Sequence, residues 1–177
     1  MSRFSVNPKF IKLFLASFLV MAAWAMFMGS QIKPLTSGEI IRFEFAGSHD
    51  AVEALLADWQ QKNWLPLAKH SVYLDFVFLF LYGATLALGC LTFPAFANKP
   101  TLMVWGMRCY RMSLYAALSD FLENLCLMEI LYGAEHTFFP AVAWFFAFAK
   151  FGLVLFVLAF LILCLVQALL GWVMEKF

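Results

Sequence analysis

Charge is what this chain has least of: Lys, Arg, Asp and Glu make up 13% of it, and histidine occurs 3 times. It has no run of basic residues and no glycine-rich phosphate loop, so nucleic acid and nucleotides find no recognition surface. Cysteine is also scarce. Cys90, Cys109, Cys126 and Cys164 fall inside apolar segments or at their ends, so they read as buried thiols rather than disulfides of an oxidising compartment. His49, His70 and His136 are too widely spaced for a zinc motif, so no metal is expected. No cofactor motif is present, and no cofactor is expected.

The chain is apolar instead, with 64% hydrophobic residues, 22 Phe and 6 Trp and a mean hydropathy of +0.85. A soluble domain does not need this much apolar surface to fill one core, so the chain reads as a single integral membrane domain. A membrane-spanning helix takes about 20 apolar residues at 1.5 Å each. Spans are expected near 10–29, 71–93, 109–131 and 138–163. The fourth lies in an apolar run, 137–172, that would reach roughly 50 Å as one helix and so should tilt, break near Pro140 or Gly152, or leave the bilayer. The first resembles a signal peptide, with Arg3, Lys9 and Lys12 before an apolar run, but its length and aromatic content favour an uncleaved span. The expected fold is an all-α membrane protein: a four-transmembrane-helix bundle with an outer-side amphipathic helix between helices 1 and 2.

Basic residues set the orientation. Arg3, Lys9 and Lys12 precede the first span, and Lys99, Arg108 and Arg111 lie between the second and third, with no acid in either place. Both stretches and both termini are therefore expected in the cytoplasm. The 30–70 connection, where acids balance bases, belongs outside. So does the short connection holding Glu135.

Within the outer connection, "IIRFEFAG" (40–47) alternates apolar and charged residues as an extended segment would, which makes Arg42 and Glu44 outer-side candidates. "DAVEALLADWQQK" then reads as an amphipathic helix capped by Asp50, with a Val52, Leu55, Leu56 and Trp59 stripe. It should lie on the membrane surface or lid the bundle, with Trp59 and Trp64 at headgroup level.

Ionisable residues inside the spans carry the functional signal, because each mid-membrane charge costs about 2.5–3.5 kcal/mol on the insertion scale. In "LSDFLENLCLMEIL" (118–131), Asp120, Glu123, Asn124 and Leu127 share one helix face near mid-membrane. Glu129 falls near the outer interface. Lys150 lies at the same depth if the fourth span begins near Pro140, and would merely snorkel if it began at Lys150. Asp75, with Tyr73 and Tyr82, would complete a polar pocket opening outward. Three acids against one base leave at least one acid protonated or facing water.

The order "RFEFAG", "AVEALLADW", "LDFVFLFLYG", "DFLENLCL" and then a lysine in the fourth span covers nearly the whole chain. It resembles a group of small four-span bacterial inner-membrane proteins of unestablished function. The resemblance implies an inner-membrane setting and groups Glu44, Asp75, Asp120, Glu123, Asn124 and Lys150, but supplies no activity. Size and span count are also similar to sterol-binding proteins of the emopamil-binding type. Those keep an acid in the first span and this chain has none there, so that likeness is architectural.

Three functions fit. The cluster could bind a small or amphiphilic ligand, or couple to protons, from the outer side. It could lock the helices of an accessory or assembly subunit as an ion-pair network. It could serve a membrane enzyme acting on a lipid-like or quinone-like substrate, with Asp75 or Glu123 as general acid or base, although no nucleophile–base pair is visible. The expected partners are accordingly the bilayer, a lipid or amphiphile, and another membrane protein or a second copy of the chain.

Overall fold

The computed structural model describes residues 8–133 and 137–174. These residues form six helices and no strand: α1 (Pro8–Gln31), α2 (Ser37–Glu44), α3 (His49–Gln61), α4 (Leu65–Ala97), α5 (Pro100–Leu131) and α6 (Phe139–Met174). Glu135 and His136 lie outside the described residues, as does Arg3. Three helices, α1, α4 and α6, are long and apolar enough to cross a membrane, which makes the chain compatible with an integral membrane protein. The expected four reduce to three on this measure. The 32-residue α5 is long enough, but it carries Arg108, Arg111, Asp120, Glu123 and Glu129.

Helices α4, α5 and α6 pack against one another, and α1 leans chiefly on α4. The packing seam of α5 is regular. Its buried Gly106, Cys109, Ser113, Ala116, Asp120, Glu123, Leu127 and Ile130 alternate steps of three and four, the period that keeps one stripe against neighbouring helices. Small residues fill the half of this stripe nearer Pro100, so the backbones come close there. A Cβ on Gly106 would lie 2.6 Å from the Cys90 carbonyl oxygen and 2.8 Å from Pro94 Cγ.

Helix α1 has no buried residue. It is tied to α4 by a 2.6 Å hydrogen bond between the Ser17 and Thr85 hydroxyls and by Trp24, whose indole donates to the Leu74 carbonyl at 3.2 Å. Helix α6 runs unbroken for 36 residues, about 54 Å at 1.5 Å per residue. Neither expected break occurs. Pro140 sits in the first turn, where its missing N–H costs no helical bond, and Gly152 lies mid-helix.

The 40–47 segment corrects the sequence reading, since most of it is helical. "TSGE" (36–39) is a capping signature, and the Thr36 hydroxyl accepts the Glu39 backbone N–H at 3.3 Å. That local start signal outweighs the short alternation after it. Ser48, not Asp50, caps α3, its hydroxyl accepting from the Ala51 N–H. Gly47 joins α2 to α3 at a φ of +67°, a left-handed conformation that glycine adopts freely, and a Cβ there would press on Trp144 of α6 at 3.2 Å.

Helices α2 and α3 thus cap one end of the bundle. Trp59 is fully buried there against Phe43, with ring centroids 5.3 Å apart, rather than at headgroup level. Leu35, Val52 and Leu55 join Val72, Leu127 and Ala143 in the same core.

Candidate functional site

Three helices bring their ionisable residues to one height. Lys150 lies 11 residues into α6, Asp120 11 residues before the end of α5, and Asp75 10 residues into α4, each about 15–17 Å from the capped end. Ala143 and Ala147 precede Lys150 on the buried α6 face, and their small side chains let the helices approach closely.

The Lys150 ammonium meets three carboxylates. It donates to Asp120 Oδ1 at 3.0 Å and lies 2.9 Å from Glu123 Oε2 and 3.4 Å from Glu44 Oε2. Lys150 is 7% exposed and does not snorkel. Asn124, one residue past Glu123, donates from Nδ2 to Asp75 Oδ2 at 2.7 Å and links α5 to α4. Glu123 is wholly buried, and its oxygens accept no well-formed hydrogen bond, so the charge of Lys150 is what balances it.

Glu44 reaches the cluster from the last turn of α2 and is 7% exposed. Burial, with Asp120 adding to it and Lys150 opposing it, raises its carboxyl above the ordinary value of 4.5.

The other candidates lie elsewhere. Arg42 is exposed, with Glu39 3.9 Å away. Tyr73 is half-exposed and shares a 2.9 Å hydrogen bond with Tyr132. Helical phase explains its exclusion from the pocket. At about 100° per residue, Tyr82 falls on the Asp75 face after seven steps, whereas Tyr73, two steps before Asp75, points away. Glu129 is exposed. His49 pairs with Glu53 at 3.0 Å on α3.

A cavity of about 630 Å³ adjoins the cluster. Asp75, Tyr82, Asp120, Asn124, Lys150 and Glu44 form its polar end, and Glu123 does not border it. From there it extends between α1 and α6, past Met21 and Val154, to Phe14, Phe93 and Leu165. On α6 it spans Lys150 to Leu165, about 22 Å along the axis. Ile40 and Ile41 of α2 wall it at the capped end, and its length lies beside α1. The sequence offered no signal for this slot, because the apolar residues that line it look like any lipid-facing surface.

Fold and site together define a helical protein with membrane-length helices around a buried acid–lysine cluster. Comparison with protein-family models, with curated proteins and with solved structures found no match.

Proposed function

We propose that this chain is a polytopic membrane protein that holds a small or amphiphilic ligand in the cavity between α1 and α6, with the ligand's polar group at the Glu44, Asp75 and Lys150 end. In this reading α5 is the fourth span of a four-helix bundle, its charges tolerated because they face α4 and α6. The resemblance to small bacterial proteins and the basic residues at Lys9, Lys12, Lys99, Arg108 and Arg111 support an inner-membrane setting with cytoplasmic termini. The capped end then faces outward.

The observation that carries the proposal is the continuity of one cavity from a charged end to an apolar slot. A cluster that only locked helices would need no such space. The alternative, a structural ion-pair network in an accessory subunit, draws support from the three-carboxylate enclosure of Lys150. An enzyme acting on a lipid-like substrate remains a third reading, with Asp75 the acid or base at the cavity wall.

Native mass spectrometry of gently extracted protein separates the first two. The wild type is expected to carry an amphiphile of defined mass. Ala25→Trp and Val154→Trp, which fill the slot and leave every charge in place, should release it. An empty wild type, or equal retention by both filled variants, would favour the structural network.

A further inference from the structure

The charge count around the cavity narrows the chemistry of the ligand's head. Among the described residues, the carboxyl groups of Glu44, Asp120 and Glu123 enclose the Lys150 ammonium, and Asn124 holds a fourth, that of Asp75, at the same height. An ammonium has three N–H donors, and three of these carboxylates already lie within 2.9–3.4 Å of it. Among the described residues an anionic head would find no uncommitted cation here, and the carboxylates outnumber the N–H donors that Lys150 offers.

These carboxyl groups differ in their access to the cavity. Glu123 is sealed behind Lys150, while Glu44 and Asp75 border the open space. Two oxygens on cavity-lining residues are buried without a well-formed hydrogen bond, the first of them only 3.4 Å from the Lys150 ammonium. The first is Glu44 Oε2, and the other is the hydroxyl of Tyr82, a residue only 8% exposed. The Phe78 and Phe151 rings also line the space, and ring faces attract cations. Acceptors, aromatic faces and a carboxylate surplus select a positive head, and the slot beyond them selects an apolar body.

From this geometry we infer that the ligand is an amphiphilic cation, a protonated amine or quaternary ammonium whose head sits between Glu44, Asp75 and Tyr82. Its hydrocarbon part lies between α1 and α6. The inference rests on the proposed binding role and deepens it.

Probes with one tail and different heads test it: dodecylamine, dodecyltrimethylammonium, dodecanol and dodecanoate, each added to the full chain in neutral maltoside micelles at pH 7. Native mass spectrometry and thermal melting read uptake. The two cations are expected to bind at least about tenfold more tightly than the alcohol or the acid. Glu44→Gln and Asp75→Asn should each remove most of that preference while the alcohol's uptake changes little. Stronger binding of the amine than of the quaternary ion would show that N–H donation to Glu44 or Tyr82 adds to charge, within the same assignment.

Equal or tighter binding of dodecanol or dodecanoate would overturn the cationic assignment and leave the binding role standing. Cation preference unchanged in both variants would overturn the placement of the head. Failure of every probe to bind would overturn both readings. Because the ranking of heads is read on the wild type, the test survives a variant that does not fold.

Discussion

Among the described residues Lys150 is the one cation facing Glu44, Asp120 and Glu123, so its removal leaves those carboxylates buried without a counter-charge. Breaking a buried pair from one side costs about 3–5 kcal/mol, because the stranded charge keeps its desolvation penalty. Lys150→Met, similar in length and apolar, should therefore lower the melting midpoint sharply or yield little folded protein. Adding Glu123→Gln, which removes the most enclosed carboxylate, should recover part of the loss. Thermal melts of both variants in detergent check this. A Lys150→Met variant that melts like the wild type would mean the cluster does not hold the bundle. The inward face of Asp120, Glu123 and Asn124 was legible because helical phase and depth follow from counting residues. Counting also placed Lys150 beside them, once the start of its span was chosen. Tyr82 was placed with Asp75 by the same counting, but the apolar slot beyond them is a cavity that no local pattern encodes.

At the scale of the helix, the α5 seam makes a sharp demand on its glycine. A methyl group on Gly106 would meet the backbone oxygen of Cys90, which a side-chain rotation cannot relieve. Gly106→Ala should separate α4 from α5 locally and cost about 1–3 kcal/mol, the usual range for overpacking. Gly152→Ala is the control, since a Cβ there meets nothing within 4 Å. Matched melting curves for the two variants would contradict the close approach. Long helices were the most readable elements, because an apolar run admits few alternatives in lipid. Short segments were the least readable. In 40–47 a two-residue alternation competed with a capping signature, and the cap decided it.

Across the whole molecule, the α2–α3 cap and the lightly held α1 give the bundle two unequal sides. The proposed orientation puts the cap outside and the turn between α4 and α5 inside. Glu53→Cys on α3 and Thr101→Cys at the start of α5 are both exposed positions, and the native cysteines are buried. On intact cells a membrane-impermeant maleimide should label Glu53→Cys alone, with Thr101→Cys labelled after permeabilisation. The reverse pattern would invert the topology.

The sequence by itself pointed to lipid as the solvent, because so apolar a chain has more hydrophobic surface than one core takes up. It also determined the helical class and the grouping of acids on one α5 face, since both follow from local periodicity and the cost of an unpaired backbone in a membrane. Only the tertiary structure decided that Glu44 swings in from α2 and that a slot remains between α1 and α6. Those facts depend on how helices distant in sequence approach one another. An apolar residue facing lipid and one facing a cavity are written with the same letters.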